Sequence, residues 1–307
     1  MNKKHYLDNL INAKLFRFDH LEVGGIDNEP VTKIFSASVL EQEFCLFANT
    51  ILTGDEYIQF LHRRISNAMQ NKLPLPVARF ADGEYAFYKY TLGCNGLYNQ
   101  AESIEIIKKV MPQHIKAMEY LEANGFFAPL VYPGNSHVAA QGFFSFLQKN
   151  ANSTGTDFLD FLRSAGINLT TENYIPFYIV YAYLTSREFA AAMNDKNICI
   201  LNSEYNKDNC CRWFARFSSH PHLSFVDIPA EYIATRWEKI KKGLLEKISP
   251  NTDLCLAGAG VGALLICADI AKIFSIPAID AGHVLNMMND RVDKSNGVRL
   301  YTLRKSL

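Results

Sequence analysis

The sequence predicts an α/β fold, a doubly wound and mostly parallel Rossmann-like sheet with helices on both faces. Three observations lead there. Short apolar runs recur at 75–80, 126–131, 197–201, 223–228, 253–257 and 277–280. Most are apolar throughout rather than alternating, as expected of parallel strands covered on both sides. Segments of helical period separate most of them, and the chain carries neither an internal repeat nor a low-complexity tract.

The elements follow in order. Residues 1–50 have irregular patterning, with Gly24-Gly25 and Asn28-Glu29-Pro30, and read as an N-terminal extension packed on a single domain over 51–307. Ile58, Leu61, Ile65 and Met69 then recur at helical spacing. Pro74 and Pro76 stop that helix and lead into the strand at 75–80. Ile107, Val110, Met111, Ile115, Met118 and Leu121 mark a long helical stretch, expected to break near Pro112 and to close at Gly125. After the strand at 126–131, helices are expected over 137–148 and 158–165. The segment 174–183, aromatic and β-branched, reads as extended in spite of Pro176. Helices over 208–217, 230–247 and 261–274 separate the remaining strands.

Composition narrows the function classes. The 307 residues are 49% hydrophobic and 20% charged, and 31 Lys+Arg balance 31 Asp+Glu, so no field favours a polyanion and no nucleic-acid partner is expected. The start, Met1-Asn2-Lys3-Lys4-His5, lacks the apolar core of a signal peptide. The strongly apolar uncharged stretches 254–268 and 173–186 are shorter than a bilayer span. A cytoplasmic protein without stable membrane insertion is the expectation. The segment 230–247 sets Lys239, Lys241, Lys242 and Lys247 beside a stripe of Tyr232, Ile233, Trp237, Ile240, Leu244 and Leu245, which suits a solvated helix with its stripe on the core better than contact with an anionic membrane. The seven cysteines form no C-x-x-C pair and read as thiols, with Cys199, Cys255 and Cys267 in the core and one of Cys210 and Cys211 buried. Oligomeric state is left open.

Parallel sheets bind ligands outside the carboxyl ends of their strands. The residues expected there are Asp82-Gly83-Glu84, Pro133-Gly134-Asn135-Ser136-His137, Asn202-Ser203-Glu204, Asp227, Gly258-Ala259-Gly260 and Asp280-Ala281-Gly282-His283. Asp82 and Glu84 flank a glycine at a strand end, so an extended backbone would aim both carboxylates the same way. Such a pair suits a hard divalent cation, Mg²⁺ or Mn²⁺, able to hold a diphosphate. A second D-x-E, Asp27-Asn28-Glu29, has no apolar run leading into it. Gly258-x-Gly260-x-x-Ala263 follows a strand, opens a helix and precedes Asp280, which matches a dinucleotide fingerprint. The same glycines equally suit close packing of helix on strand.

Two segments together resemble a known family. Val77-Ala78-Arg79-Phe80-Ala81-Asp82-Gly83-Glu84 resembles the R-F-x-D-G-E segment of GT-D-type glycosyltransferases. The segments Cys267-Ala268-Asp269-Ile270-Ala271-Lys272 and Ile279-Asp280-Ala281-Gly282-His283 resemble that family's closing unit. Its usual turn, similar to L-G-P-T-A, is replaced here by Leu256-Ala257-Gly258-Ala259-Gly260. The resemblance implies a metal-dependent glycosyltransferase that moves a sugar from a nucleoside-diphosphate sugar, a UDP-sugar by preference, to a glycan or glycoconjugate acceptor. It implies metal ligation by Asp82 and Glu84; donor contacts are expected, from location at the strand ends, from Arg79, Gly83, Asn202, Gly258 and Gly260. Strand alternation sets Arg79 on the face opposite Asp82, so it would contact the donor or brace the site from below. An inverting reaction needs a base, for which Asp280, His283 and Glu204 are the candidates by location. Two other classes stay open: an NAD-dependent oxidoreductase built on Gly258, Gly260 and Asp280, and a non-catalytic nucleotide- or sugar-binding protein.

Overall fold

The computed structural model describes residues 14–17, 23–24, 30–31, 42–47, 54–131 and 155–291. Four short strands come first: β1 (Lys14–Arg17), β2 (Val23–Gly24), β3 (Pro30–Val31) and β4 (Gln42–Cys45). β1 pairs antiparallel with β4, and β2 with β3. The main domain then runs α1 (Gly54–Asn71), β5 (Leu75–Phe80), α2 (Asp82–Tyr88), α3 (Ile104–Asn124) and β6 (Phe126–Pro129). It continues with α4 (Gly155–Ser164), α5 (Phe177–Leu184), α6 (Arg187–Ala192), β7 (Asn197–Asn202), α7 (Lys207–Ala215), β8 (His222–Asp227) and α8 (Ile233–Leu245). It closes with β9 (Leu254–Gly258), a 3₁₀ turn at Gly260–Gly262, α9 (Ala263–Phe274), β10 (Pro277–Asp280) and α10 (His283–Met288).

The six main strands form one sheet in the order β6-β5-β10-β9-β7-β8, every neighbour pair parallel. Helices α3, α8 and α9 pack together on one face, and α1, α5 and α6 form a separate packed group. This is the α/β architecture the apolar runs imply. The last described strand enters the middle of the sheet, so β10 lies directly beside β5. The two segments richest in candidate site residues thereby become neighbours.

Two expectations are corrected by the structure. The segment 174–183 is not a strand. Only Tyr174 is extended, bridging Phe127, and Phe177–Leu184 is helical with Pro176 at its N-cap. All eight residues of α5 are buried, so no polar face exists to reveal a helical period. Pro112 does not break α3, which runs 21 residues with the proline inside it. The expected helix over 137–148, the 133–137 loop and Asp27-Asn28-Glu29 lie outside the described residues.

Other features follow their residue types. Ser103 caps α3 by accepting the Ile106 N–H. Trp237 and Leu244 of α8 are buried, and the Trp237 indole donates to Asp269 Oδ2 at 2.8 Å, so the apolar stripe of this helix faces α9. Cys199, Cys255, Cys267 and Cys210 are buried while Cys211 is exposed. Among the described residues no helix is long and apolar enough to cross a membrane.

One buried imidazole ties three helices together. His114 of α3 lies 3.1 Å from the Tyr88 hydroxyl through Nδ1 and 2.8 Å from Ala234 O through Nε2. The contact with a carbonyl assigns the proton to Nε2, which leaves Nδ1 to accept from Tyr88. Burial lowers its pKa to about 4, the Ala234 contact opposing the shift. The folded value is thus depressed below the unfolded one. The unfolded chain gains a proton as pH falls below 6.5 and the folded chain does not. Stability is therefore fully present above that value and declines between pH 6.5 and about 4. We expect denaturant unfolding to lose about 3 kcal/mol over that window from this group, and His114→Gln to flatten the dependence. A wild-type midpoint unchanged from pH 7 to 4.5 would contradict it.

Candidate active site

Two adjacent strand ends build the site. Arg79, the penultimate residue of β5, and Asp280, the last of β10, are both buried and make three hydrogen bonds. Arg79 Nη2 donates to Asp280 Oδ1 at 2.8 Å, Arg79 Nε to the Asp280 carbonyl at 2.8 Å, and Arg79 N to Asp280 Oδ2 at 3.3 Å. From the other side the guanidinium stacks on Tyr181 and Phe177 of α5, at 4.4 and 5.2 Å from the ring centroids. Burial opposes the Arg79 charge, but Asp280 holds its pKa above the usual range. Burial raises the Asp280 carboxyl against the opposing pull of Arg79. Of the two roles open to Arg79, the geometry favours bracing, since Nε and Nη2 donate to Asp280 and two rings lie against the guanidinium.

Asp82-Gly83-Glu84 differs from expectation in its backbone. The chain turns into α2 at Asp82, so the three residues form the first turn of a helix rather than an extended end. Positions i and i+2 of a helix diverge, so the two carboxylates are not aimed in parallel. Asp82 is exposed, as suits an acid in a first helical turn. Glu84 is half-buried and folds back, its Oε2 accepting the Ala81 N–H at 2.9 Å. Burial lifts Glu84 to about 7, the Ala81 contact pulling down and the Asp280 charge adding to the rise. Behind this turn Phe80, Tyr85, Tyr88 and Phe158 form a packed aromatic block, Phe158 stacking on Phe80 and Tyr85. The Tyr85 hydroxyl lies 2.8 Å from the carbonyls of Phe80 and Leu130, tying the ends of β5 and β6.

His283 opens α10, three residues past Asp280. Gly282 adopts φ +44° there, and a Cβ on it would overlap Arg79 Nη2. His283 is half-buried, with Nδ1 3.1 Å from Asn286 Nδ2. Burial, then the neighbouring Arg79 charge, lowers its pKa to about 4, so the ring is neutral at ordinary pH.

Other sequence-predicted residues sit further along the sheet. Asn202 ends β7, two strands from β10, about 10 Å across. Its side chain shapes its own turn, accepting the Ser203 N–H at 3.0 Å and donating to Glu204 O at 2.8 Å. The Glu204 carboxylate pairs with Arg291. Asp227 ends the edge strand β8 and is exposed. At Gly258 a Cβ would lie 2.8 Å from Leu285 Cδ1 and 3.1 Å from Asn202 Oδ1. At Gly260, φ +51°, a Cβ would lie 2.7 Å from Gln100 Oε1. That same Gln100 oxygen accepts the Val261 N–H at 3.1 Å. The backbone donor that a pyrophosphate would use therefore already has a partner, and the packing explanation of the glycines is the one the geometry favours.

Sequence reasoning missed Tyr181 and Phe177, hidden in an all-apolar segment, and Gln100, which no motif marks. It also missed Glu43. This buried residue of β4 accepts the N–H groups of Phe177 at 2.8 Å and Tyr178 at 3.0 Å, the first amides of α5.

No family model matches the chain, and no curated protein matches it. Among solved structures, the chain is similar to a glycosyltransferase (DUF1792) from Streptococcus sanguinis, at 15% identity and TM-score 0.47, covering 74% of this chain and 81% of that one. It is also similar to a selenomethionine-substituted structure of domain of unknown function 1792 and to a structure described as having a distinct glycosyltransferase fold. Each of these is 16% identical, with TM-score 0.46, covering 76% of this chain and 84% of the other. These are resemblances of overall layout, and residue roles here rest on this chain's own geometry.

Two glycines one motif apart should answer differently to a methyl group. A Cβ at Gly83 meets nothing within 4 Å, whereas one at Gly282 collides with Arg79 at positive φ. Gly83→Ala should hold stability or raise it by about 0.5 kcal/mol. Gly282→Ala should cost about 2–4 kcal/mol by forcing the buried pair apart. Chemical denaturation compares them, and equal midpoints would contradict this packing.

Proposed function

We propose that the protein is a glycosyltransferase that takes its sugar from a nucleoside-diphosphate donor, UDP-sugar by preference, with a divalent cation, Mg²⁺ or Mn²⁺. The acceptor we infer is a glycan or glycoconjugate, and the compartment the cytoplasm. The observation that carries this reading is the Arg79–Asp280 pair. It joins the D-G-E turn to the D-A-G-H turn at one end of the sheet, so the two segments that resemble the transferase family meet in space.

The donor set fits a metal that brings most of its own ligands. Among the described residues no group of three or more His, Cys, Asp or Glu is placed to hold an ion. Mg²⁺-type ions are commonly held by one or two carboxylates, with waters and substrate phosphates completing the shell. Asp82, exposed at the helix start, and the Glu84 carboxylate beside it would supply the protein's share. When bound, the cation would neutralise charge developing on the departing diphosphate. Arg79, held below, contributes a fixed positive charge to the same region.

For the base we favour His283. Asp280 is engaged by Arg79, and Glu204 pairs with Arg291 two strands away. His283 is neutral and half-buried at the site, and a diphosphate bound nearby would raise its basicity. It would take the acceptor hydroxyl proton as the sugar–oxygen bond forms. The oxidoreductase alternative loses support because Gln100 occupies the turn a dinucleotide would need.

Thermal shift with nucleoside diphosphates and NAD, each with Mn²⁺ or chelator, tests the reading. A metal-dependent shift with the diphosphate and none with NAD is expected. Asp82→Ala should weaken that binding about 10- to 100-fold while the ligand-free protein keeps its stability to within about 1 kcal/mol. Turnover of a nucleotide sugar separates an enzyme from a silent binder. Wild-type affinity in Asp82→Ala at saturating metal would sink the assignment.

A further inference from the structure

Among the described residues, Glu43 links the N-terminal segment to the candidate site. Glu43 is fully buried, although it belongs to β4, outside the parallel sheet. Its two carboxyl oxygens divide their work: Oε2 takes the Phe177 N–H at 2.8 Å and Oε1 the Tyr178 N–H at 3.0 Å. Both are first-turn amides of α5, which have no carbonyl partner within their own helix. The Tyr174 hydroxyl, just before that helix, accepts the Leu46 N–H at 3.3 Å. The extension therefore grips α5 at its N-terminus and immediately upstream.

What α5 holds gives this grip its meaning. Phe177, whose amide Glu43 takes, also puts its ring against the Arg79 guanidinium, and Tyr181 stacks on it one helical turn later. Arg79 has Asp280 on its other side and Gly282 packed against Nη2. A continuous set of contacts thus runs from Glu43 through α5 to Arg79 and Asp280. Burying a carboxyl is costly, and burial pushes Glu43 up to about 8 against both amide contacts. An uncharged cap from ordinary backbone would avoid that cost, so the carboxyl's two acceptor oxygens are the feature to account for.

We propose that Glu43 is a positioning residue for the active site: by fixing the start of α5 it holds Phe177 and Tyr181 against Arg79, and so sets the Arg79–Asp280 pair. Its relevance to catalysis rests on the glycosyltransferase reading, but its effect on Arg79 does not.

The Arg79 Nε–H is buried and donates to Asp280 O, so its hydrogen exchange, read by NMR, reports the pair directly. In the full chain, Glu43→Ala should speed that exchange about tenfold or more. Glu43→Gln keeps the shape but turns one acceptor into a donor facing an N–H, and should give an intermediate rate. If Glu43→Ala fails to fold, Glu43→Gln decides. Faster exchange at Phe177 and Tyr178 with Arg79 Nε–H unchanged would overturn the proposal, leaving Glu43 as a helix cap only. Sugar transfer measured in the same variants should fall in step with Arg79 protection. A wild-type protein inactive on every donor would defeat the transferase reading while leaving the Arg79 result to stand or fall by itself.

Discussion

The structure turns on a charged pair buried at the junction of β5 and β10. Arg79 and Asp280 are 201 positions apart in the chain, yet three hydrogen bonds join them. Removing two charges from water is expensive, and mutual attraction repays it only when the remaining donors and acceptors are satisfied. Here the guanidinium has the carboxylate and carbonyl of Asp280 at one edge and two aromatic rings over its faces. That arrangement constrains everything around it. It demands a glycine at 282, and it needs α5 packed tightly enough to bring Tyr181 to 4.4 Å.

Chain topology makes the pair possible. Had β10 joined an edge of the sheet, Asp280 would lie far from the D-G-E turn. Because the last described strand inserts between β5 and β9, the two turns share one end of the sheet, with Asp82 above and Arg79 below. The aromatic block of Phe80, Tyr85, Tyr88 and Phe158 then fixes α2, so the exposed Asp82 is presented from a rigid base.

Much of this was legible in the residues, and the exceptions have physical causes. Most of the six main strands are continuous apolar runs, a pattern that burial on both faces imposes, the edge strand β8 being the exception, and the polar strand ends named Asp82, Asp280 and His283. The backbone at Asp82 was misjudged because a D-G-E sequence suits both a turn and a helix start. The Glu84 side chain, reaching back to Ala81 N–H, selects the helix. α5 was misjudged because burial on all sides erases its period. Gln100 and Glu43 act through contacts 161 and 134 positions away, and such pairings leave no local trace. The glycines at 258 and 260 suited close packing, a phosphate or sugar contact, or a dinucleotide fingerprint by sequence alone. Only the positions of Leu285, Asn202 and Gln100 distinguish them.

The most direct test is a double-mutant cycle on the pair, with stability and nucleoside-diphosphate binding both measured. Arg79→Met and Asp280→Leu should each cost about 3–5 kcal/mol, and the double variant should recover much of that loss, because no uncompensated buried charge remains. Diphosphate binding should stay lost in all three, since the site needs the pair's charges and not merely its volume. Additive stability losses, or full binding in the double variant, would contradict the claim that this pair organises the site.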